Sequence, residues 1–244
     1  MIRTSSTTKS STTKSSTTSQ HSLLAPPAPK LRRLKQSRTM EVALAKRGFG
    51  PVAGVDEAGR GACAGPIVIA ACCLPERPIA ELDKLTDSKK LTPAARERLF
   101  PLIQRFATSF CVTTIPASCI DQFGIQDANV TGMRRAVAGL GQRPGYVLTD
   151  ALKVSGFTAP YLPVIGGDSA CRCIAAASVL AKVTRDRIMV DLSEKYPDYG
   201  LAGHKGYGTV SHMEAISRHG ATPEHRWSYR NVRLAHAEYL EHPE

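Results

Sequence analysis

The stretch Gly54-Val55-Asp56-Glu57-Ala58-Gly59-Arg60-Gly61 constrains this chain more than any other. An apolar run closes on two adjacent carboxylates, glycines at 59, 61 and 65 surround an arginine, and a second apolar run follows from Ile67 to Leu74. This pattern predicts strand, loop, strand, with both acids at the C-terminal end of the first strand. Side chains alternate faces along a regular strand, so Asp56 and Glu57 would point apart there. At a strand end, where glycines let the chain turn, both can converge on one point. Converging carboxylates repel each other unless a cation lies between them. A bare Asp-Glu pair is more commonly an exposed turn, so a chemical role requires further carboxylates elsewhere.

Two more segments supply them. Tyr146 to Asp150 and Leu162 to Asp168 are again short apolar runs ending in aspartate. Asp168 also stands where an N-cap belongs, ahead of a long helical pattern from Ser169 to about Tyr196, so cap and ligand are both open for it. The loop Gly59-x-Gly61-x-x-x-Gly65 misses the dinucleotide spacing by one residue and leads into a β-branched run instead of a helix, which rules out the dinucleotide-binding reading. Between the acidic segments, Thr92 and Pro93 open a helix to about Phe106, Ser109 to Ile115 alternates as a strand, and 117–123 and 127–140 form helices. Lys89 and Lys90 sit at the corner before Thr92, where a solvated turn and a phosphate contact are both compatible with the sequence. Arg185, Asp186 and Arg187 fit surface pairs on the long helix. Ser211-x-x-Glu214 reads as a capping box, and a last helix follows Ser228.

Composition narrows the chemistry. The net charge of +11 lies mostly in residues 1–40, which hold eight Lys/Arg and no Asp/Glu; in the remainder, 24 basic residues face 21 acidic ones, a net +3. That tail repeats Ser-Ser-Thr-Thr-Lys, then turns Pro-rich and basic, and is expected to be disordered, with a folded domain over 41–244. Hydrophobic residues make up 42% of the chain, enough for one sizeable core. The seven cysteines, Cys63, Cys72, Cys73, Cys111, Cys119, Cys171 and Cys173, form no C-x-x-C and mostly occupy apolar runs, as small buried hydrophobes of a reducing compartment do. With no membrane-length apolar stretch, the expected location is the cytoplasm. The histidines lack zinc spacing, and no G-x-S-x-G elbow is present. What remains is a mixed sheet with helices and strand-end acids at Asp56, Glu57, Asp150 and Asp168. Hard oxygen donors without soft ligands favour Mg²⁺ or Mn²⁺, and phosphodiester hydrolysis is the natural reaction class.

The Gly54 to Gly61 stretch with Gly65-Pro66, Asp87-Ser88-Lys89-Lys90-Leu91, Gly167-Asp168, the run Ala175 to Asp186 and His204-Lys205-Gly206-Tyr207-Gly208-Thr209 together closely resemble the bacterial ribonuclease HII family, a type 2 ribonuclease H. The match runs in order from about residue 50 to 235. The resemblance implies an α/β ribonuclease H-like fold: a five-stranded mixed sheet flanked by helices, with a C-terminal helical extension. It implies Mg²⁺- or Mn²⁺-dependent cleavage of RNA in RNA–DNA hybrids by a monomer, and incision 5′ of ribonucleotides embedded in duplex DNA. The family's four acidic positions fall on Asp56, Glu57, Asp150 and Asp168. Its ribose-reading loop falls on Gly59, Arg60 and Gly61, and its junction tyrosine on Tyr207. Lys89 and Lys182 become phosphate or active-site cations. Ala151 departs from the glycine found in many relatives. A non-catalytic hybrid-binding module is disfavoured by the complete acidic set, since carboxylates repel phosphate without metal. A DNA-junction nuclease would have no 2′-hydroxyl for the loop to read.

Removing residues 1–39 should leave catalysis intact and weaken hybrid binding at low salt, with the difference fading as salt rises. A salt titration of binding checks this; inactivity at every salt concentration would contradict a passive tail.

Overall fold

The computed structural model describes residues 34–241, so most of the tail expected to be disordered lies outside the described residues. The attached chain begins before residue 41. Lys35–Ser37 forms one 3-10 turn, and the Gln36 amide donates to the Ile79 carbonyl (2.9 Å) while accepting from the Ile79 N–H (3.2 Å). The boundary at residue 40 therefore cuts through a bonded segment, and residue 33 is the cleaner truncation point. Helix α1 (Thr39–Leu44) and a π turn (Ala45–Phe49) lead into the sheet.

Five strands, β1 (Val52–Ala58), β2 (Ile67–Cys73), β3 (Ser109–Ile115), β4 (Tyr146–Asp150) and β5 (Tyr161–Val164), lie in the order β3-β2-β1-β4-β5. The β1–β2 and β2–β3 pairs are antiparallel, the second joined through the segment that carries Pro93–Phe106, while β1–β4 and β4–β5 are parallel. The sheet is thus mixed, as expected. Helices cover both faces, which is why β2 is apolar and buried along its whole length without alternation. On one face, Val55, Ile69 and Ala71 pack on Met133, Ala136 and Val137 of α4 (Ile125–Ala138), which follows the short α3 (Ala117–Phe123). On the other, Val68 and Ala70 meet Leu99 and Ile103 of α2 (Pro93–Phe106) and the small residues Ala176 and Ala177. Thr92 caps α2 by accepting the Ala95 N–H.

The long helical pattern divides. Gly167–Ala170 is a separate short helix, α5; Cys171 is extended (φ −124°, ψ 125°); and α6 runs Arg172–Lys195. Asp168 lies inside the first turn of α5 and makes no capping hydrogen bond, which removes the cap role left open for it. Glu41 instead serves the start of α6, its Oε1 accepting the Cys173 N–H at 3.0 Å. The Ser211–Glu214 box is also displaced: α8 (Val210–His219) is capped by Thr209, leaving Ser211 within the first turn. A short α7 (Leu201–His204), α8 and α9 (Arg230–Glu241) form the C-terminal extension. They bury Leu201, Ile216 and Val232 against Met189 at the far end of α6. All seven cysteines are free, five buried and Cys111 and Cys119 half-buried.

Helix α6 crosses β1 at van der Waals limits. A Cβ on Gly54 would stand 2.2 Å from both the Cys173 carbonyl carbon and the Ile174 nitrogen, backbone atoms that cannot rotate away. On Gly132 it would meet the flexible Cδ1 of Ile69 at 2.3 Å. Gly54→Ala should therefore lose about 3 kcal/mol or more in denaturant unfolding, and Gly132→Ala clearly less. Equal losses would mean that β1 and α6 can separate.

Candidate active site

The parallel pair β1–β4 is in register only as far as Val55 opposite Thr149. Beyond it, β1 continues beside β2 to Ala58, and β4 beside β5 to Asp150 opposite Val164. The sheet splits there, and Asp56, Glu57 and Asp150 stand at the split. The acids do not end β1, as the sequence had implied; they lie within it and obey its alternation. Asp56 turns to the α6 side, where Ser178 neighbours it, and Glu57 turns to the α4 side, beside the fully buried Asn129. Asp150 is oriented by the Gly167 N–H, which donates to its Oδ1 at 2.8 Å and ties β4 to the first turn of α5, where Asp168 is buried. Ala151, next in the chain, holds φ +52°, a left-handed conformation that glycine adopts without strain.

A fifth carboxylate joins them. Asp87, which accepts the Lys89 N–H at 2.9 Å to cap the 3-10 turn Ser88–Lys90, faces Asp168. Its neighbour Ser88 receives a hydrogen bond from Ser178 at 2.8 Å. Burial pushes Asp56 up to about 8, and Glu57 and Asp150 add like charge. Glu57 is raised by burial and by Asp150, against Arg60, Asn129 and Lys89. Asp168 is raised by burial, then by Asp150 and Asp87. Burial opposes the Lys89 ammonium, yet Asp56, Asp168, Asp87 and Asp150 together hold it above its ordinary value. Lys89 therefore faces the cluster. Lys182 lies one turn beyond Ser178 on α6 and is bonded to Asp186 at 2.6 Å.

Among the described residues no three of these side chains converge as a closed cage. The donor set nevertheless fits a hard divalent cation. All the donors are oxygens, they are held on rigid elements, and their mutual repulsion is what a cation between them would remove. Magnesium in particular takes few carboxylates and keeps water and substrate oxygens for the rest.

The loop after β1 is supported from below by two arginines, 1% and 0% exposed. Arg185 donates to the carbonyls of Pro66 (2.9 Å), Lys205 (2.9 Å) and Ala64 (3.1 Å). Arg226 donates to those of Gly65 (3.1 Å), Arg60 (3.0 Å) and Gly59 (2.7 Å). Arg185 is thus no surface pair; only Asp186 and Arg187 make ion pairs, with Lys182 and Glu97. Gly59 has φ +91°, and a Cβ there would fall 1.9 Å from Nε of Arg185. The Arg60 guanidinium is exposed and donates to Gln126. Tyr207 is 41% exposed, with its ring within 5.7 Å of the Arg185 guanidinium and Cε1 3.8 Å from where a Cβ on Gly61 would stand. A histidine pair holds the backbone of Tyr207. The Thr222 N–H occupies Nδ1 of His225 (2.9 Å), so Nε2 of His225 donates to Nε2 of His212 (3.1 Å), whose Nδ1–H donates to the Tyr207 carbonyl (3.0 Å). Burial pushes both histidines down to about 4, which keeps them neutral near pH 7. Asp87, Ser178 and Asn129 belong to the site without any spacing signal for it, because they come from three separate elements, a 3-10 turn, α6 and α4.

A five-stranded mixed sheet of this order, with acids where its parallel strands part, defines a hydrolase of the ribonuclease H-like fold. The crystal structure of ribonuclease H2 from Pyrococcus horikoshii OT3 is similar at TM-score 0.67 and 27% identity, over 78% of this chain and 99% of that one. Bst-RNase HIII in complex with Mn²⁺ shares the fold at TM-score 0.65 and 22% identity, over 82% and 74% of the two chains. The family model for ribonuclease HII matches residues 53–234. Ribonuclease HII of Corynebacterium diphtheriae is 62% identical over 223 residues, covering 91% of this chain and 97% of its own length. That of Rhodococcus erythropolis is 62% identical over 207 residues, or 85% and 92% of the two chains. The chain belongs to the ribonuclease HII family, and is a metal-dependent endoribonuclease of the type 2 ribonuclease H class that acts on RNA–DNA substrates. No helix among the described residues is long and apolar enough to cross a membrane.

The carboxylate cluster has a measurable cost. A folded-state value of about 8 for Asp56, against 3.8 in the unfolded chain, means the folded state binds more protons between those limits. In chelator, this group's contribution to stability therefore falls as pH rises towards 8. Mg²⁺ should raise the melting temperature, and more so at pH 8 than at pH 6. Asp56→Asn should melt at or above wild type in chelator and respond less to Mg²⁺. Melting curves across pH, with and without the ion, check both; an unchanged Mg²⁺ response in Asp56→Asn would remove Asp56 from the binding set.

Proposed function

We propose that this enzyme hydrolyses the RNA strand of RNA–DNA hybrids and also cuts on the 5′ side of single ribonucleotides embedded in duplex DNA, leaving a 3′-hydroxyl and a 5′-phosphate. The observation that carries this reading is the position of the Gly59–Gly61 loop directly after the strand that bears Asp56 and Glu57, with Tyr207 alongside. Asp56, Glu57, Asp150 and Asp168 would hold two Mg²⁺ or Mn²⁺ ions. The chemistry such ions supply when bound is activation of a water and stabilisation of the leaving oxygen. Lys89, held above its ordinary value by Asp56, Asp168, Asp87 and Asp150, would meet the scissile phosphate, and Lys182, bonded to Asp186 on α6, would extend the basic surface. Gly167 N–H keeps Asp150 aimed into the site, and Ser178 with Ser88 fixes the wall beside Asp56.

Selection for ribose falls to the loop. The N–H groups of Arg60 and Gly61 make no hydrogen bond to protein among the described residues, and a ribose 2′-hydroxyl can accept from them. A deoxyribose leaves those donors unpaired, a loss of about 1–3 kcal/mol if water is excluded. Tyr207, against Gly61, can pack on the following sugar and so favour a deoxy residue at the RNA-to-DNA junction. One chain supplies all these groups, so the proposed chemistry requires none from a second subunit.

The test is a duplex carrying one ribonucleotide, incubated with Mg²⁺, with Mn²⁺ and with chelator. Cleavage should need the ion, and Asp56→Asn, Glu57→Gln and Asp150→Asn should each lower the rate by roughly 10²-fold or more while remaining folded. Asp168→Asn should fall with them, since it has no cap to preserve. Near-wild-type cleavage by Asp56→Asn would refute the site. Tyr207→Ala should narrow the rate ratio between a junction and a continuous RNA strand, more than Tyr207→Phe does. An unchanged ratio with a lowered melting temperature would make Tyr207 structural.

A further inference from the structure

Arg185 and Arg226 lie beneath the loop as two neighbouring buried cations, and among the described residues neither makes an ion pair with a carboxylate. Burying a guanidinium is expensive unless its donors are used, and here each fork reaches three main-chain carbonyls, Arg226 also donating to the Tyr229 hydroxyl at 3.1 Å. Burial lowers both, Arg185 to about 10, and the Arg226 charge lowers Arg185 further. A hydrophobic pair would fill the same space at less cost, so the forks must secure something that packing does not.

The carbonyls they hold show what that is. A trans peptide is planar, with its C=O and N–H pointing in opposite directions. Arg226 draws the carbonyls of Gly59 and Arg60 inward, with Tyr229 Oη also reaching the Arg60 carbonyl at 3.2 Å. The same two peptide planes therefore turn the N–H groups of Arg60 and Gly61 outward, side by side, at the exposed tip of the loop. Arg185 does the matching work below and beside them. It packs under Gly59, where only a glycine fits, and holds the Lys205 carbonyl two residues before Tyr207.

We infer that Arg226 is a positioning residue for ribose discrimination: its fork sets the two peptide planes whose N–H groups read the 2′-hydroxyl, and Arg185 fixes their distance from Tyr207. A lysine in place of Arg226 keeps the charge but lacks a planar fork able to orient two consecutive peptides. The inference rests on the proposed role of the loop as the ribose reader, and the experiment separates the two.

In an Asp150→Asn background, which suppresses cleavage, the full chain with Mg²⁺ is titrated with two duplexes differing only in one ribose or deoxyribose. Preference for the ribonucleotide duplex is the reading under test. Adding Arg226→Lys should lower that preference roughly tenfold, the order of one lost hydrogen bond, while affinity for the all-deoxy duplex changes little. Arg226→Ala should do the same, with methylguanidinium restoring the preference. If the Asp150→Asn protein shows no preference, the loop is not a ribose reader and the inference falls with it. If that protein prefers ribose and the Arg226→Lys double variant prefers it equally, or loses affinity for both duplexes in proportion, Arg226 is scaffolding only. Arg226→Lys serves the test even if Arg226→Ala does not fold.

Discussion

The contact between α6 and β1 at Gly54 is the constraint on which the rest of the molecule depends. With backbone against backbone there, every later residue of the helix is indexed to the strand and loop beside it. Ser178 comes to Asp56, Arg185 to Gly59 and Met189 to Gly65. A helix of 24 residues spans about 36 Å, so one rigid element reaches from the carboxylates to the C-terminal helices. The run of alanines before Ser178 is what allows this approach; larger side chains would lift the helix and separate acids from loop.

The charges are organised on either side of that contact with opposite logic. The carboxylates lie where two parallel strands part and are left crowded, with Lys89 and, beside Glu57, Arg60 as counter-charges. The arginines lie under the loop and are satisfied by main-chain carbonyls and, for Arg226, the Tyr229 hydroxyl. The first arrangement is incomplete until a cation arrives. The second is complete in the protein itself and fixes backbone direction.

Much of this was legible beforehand because it is local. Thr92-Pro93 start α2 and Ser109–Ile115 is a strand to the residue, since capping chemistry and alternation are properties of neighbours in sequence. The acids at 56, 57, 150 and 168 were visible as endings of apolar runs. What escaped notice depends on partners far along the chain. Arg185 shares a helix with Asp186 and Arg187, and nothing nearby distinguishes it; its acceptors are at residues 64, 66 and 205. The break at Cys171 is likewise invisible locally, because the N–H group it frees at Cys173 is taken by Glu41 from α1. Asp56 and Glu57 were expected at a strand end because the glycines come so soon after them, yet pairing with β2 carries β1 on to Ala58.

The separation of Arg226 from Gly59, 167 residues, also bears on how the enzyme comes into being. During synthesis the sheet and all four acids are made well before residue 226 leaves the ribosome, and a contact that closes so long a loop forms late. Under the roles proposed above, a nascent or prematurely ended chain would hold the acids without the support that orients the Gly59–Gly61 loop. On that proposal, the order of the sequence makes the groups for chemistry first and the support for substrate choice later.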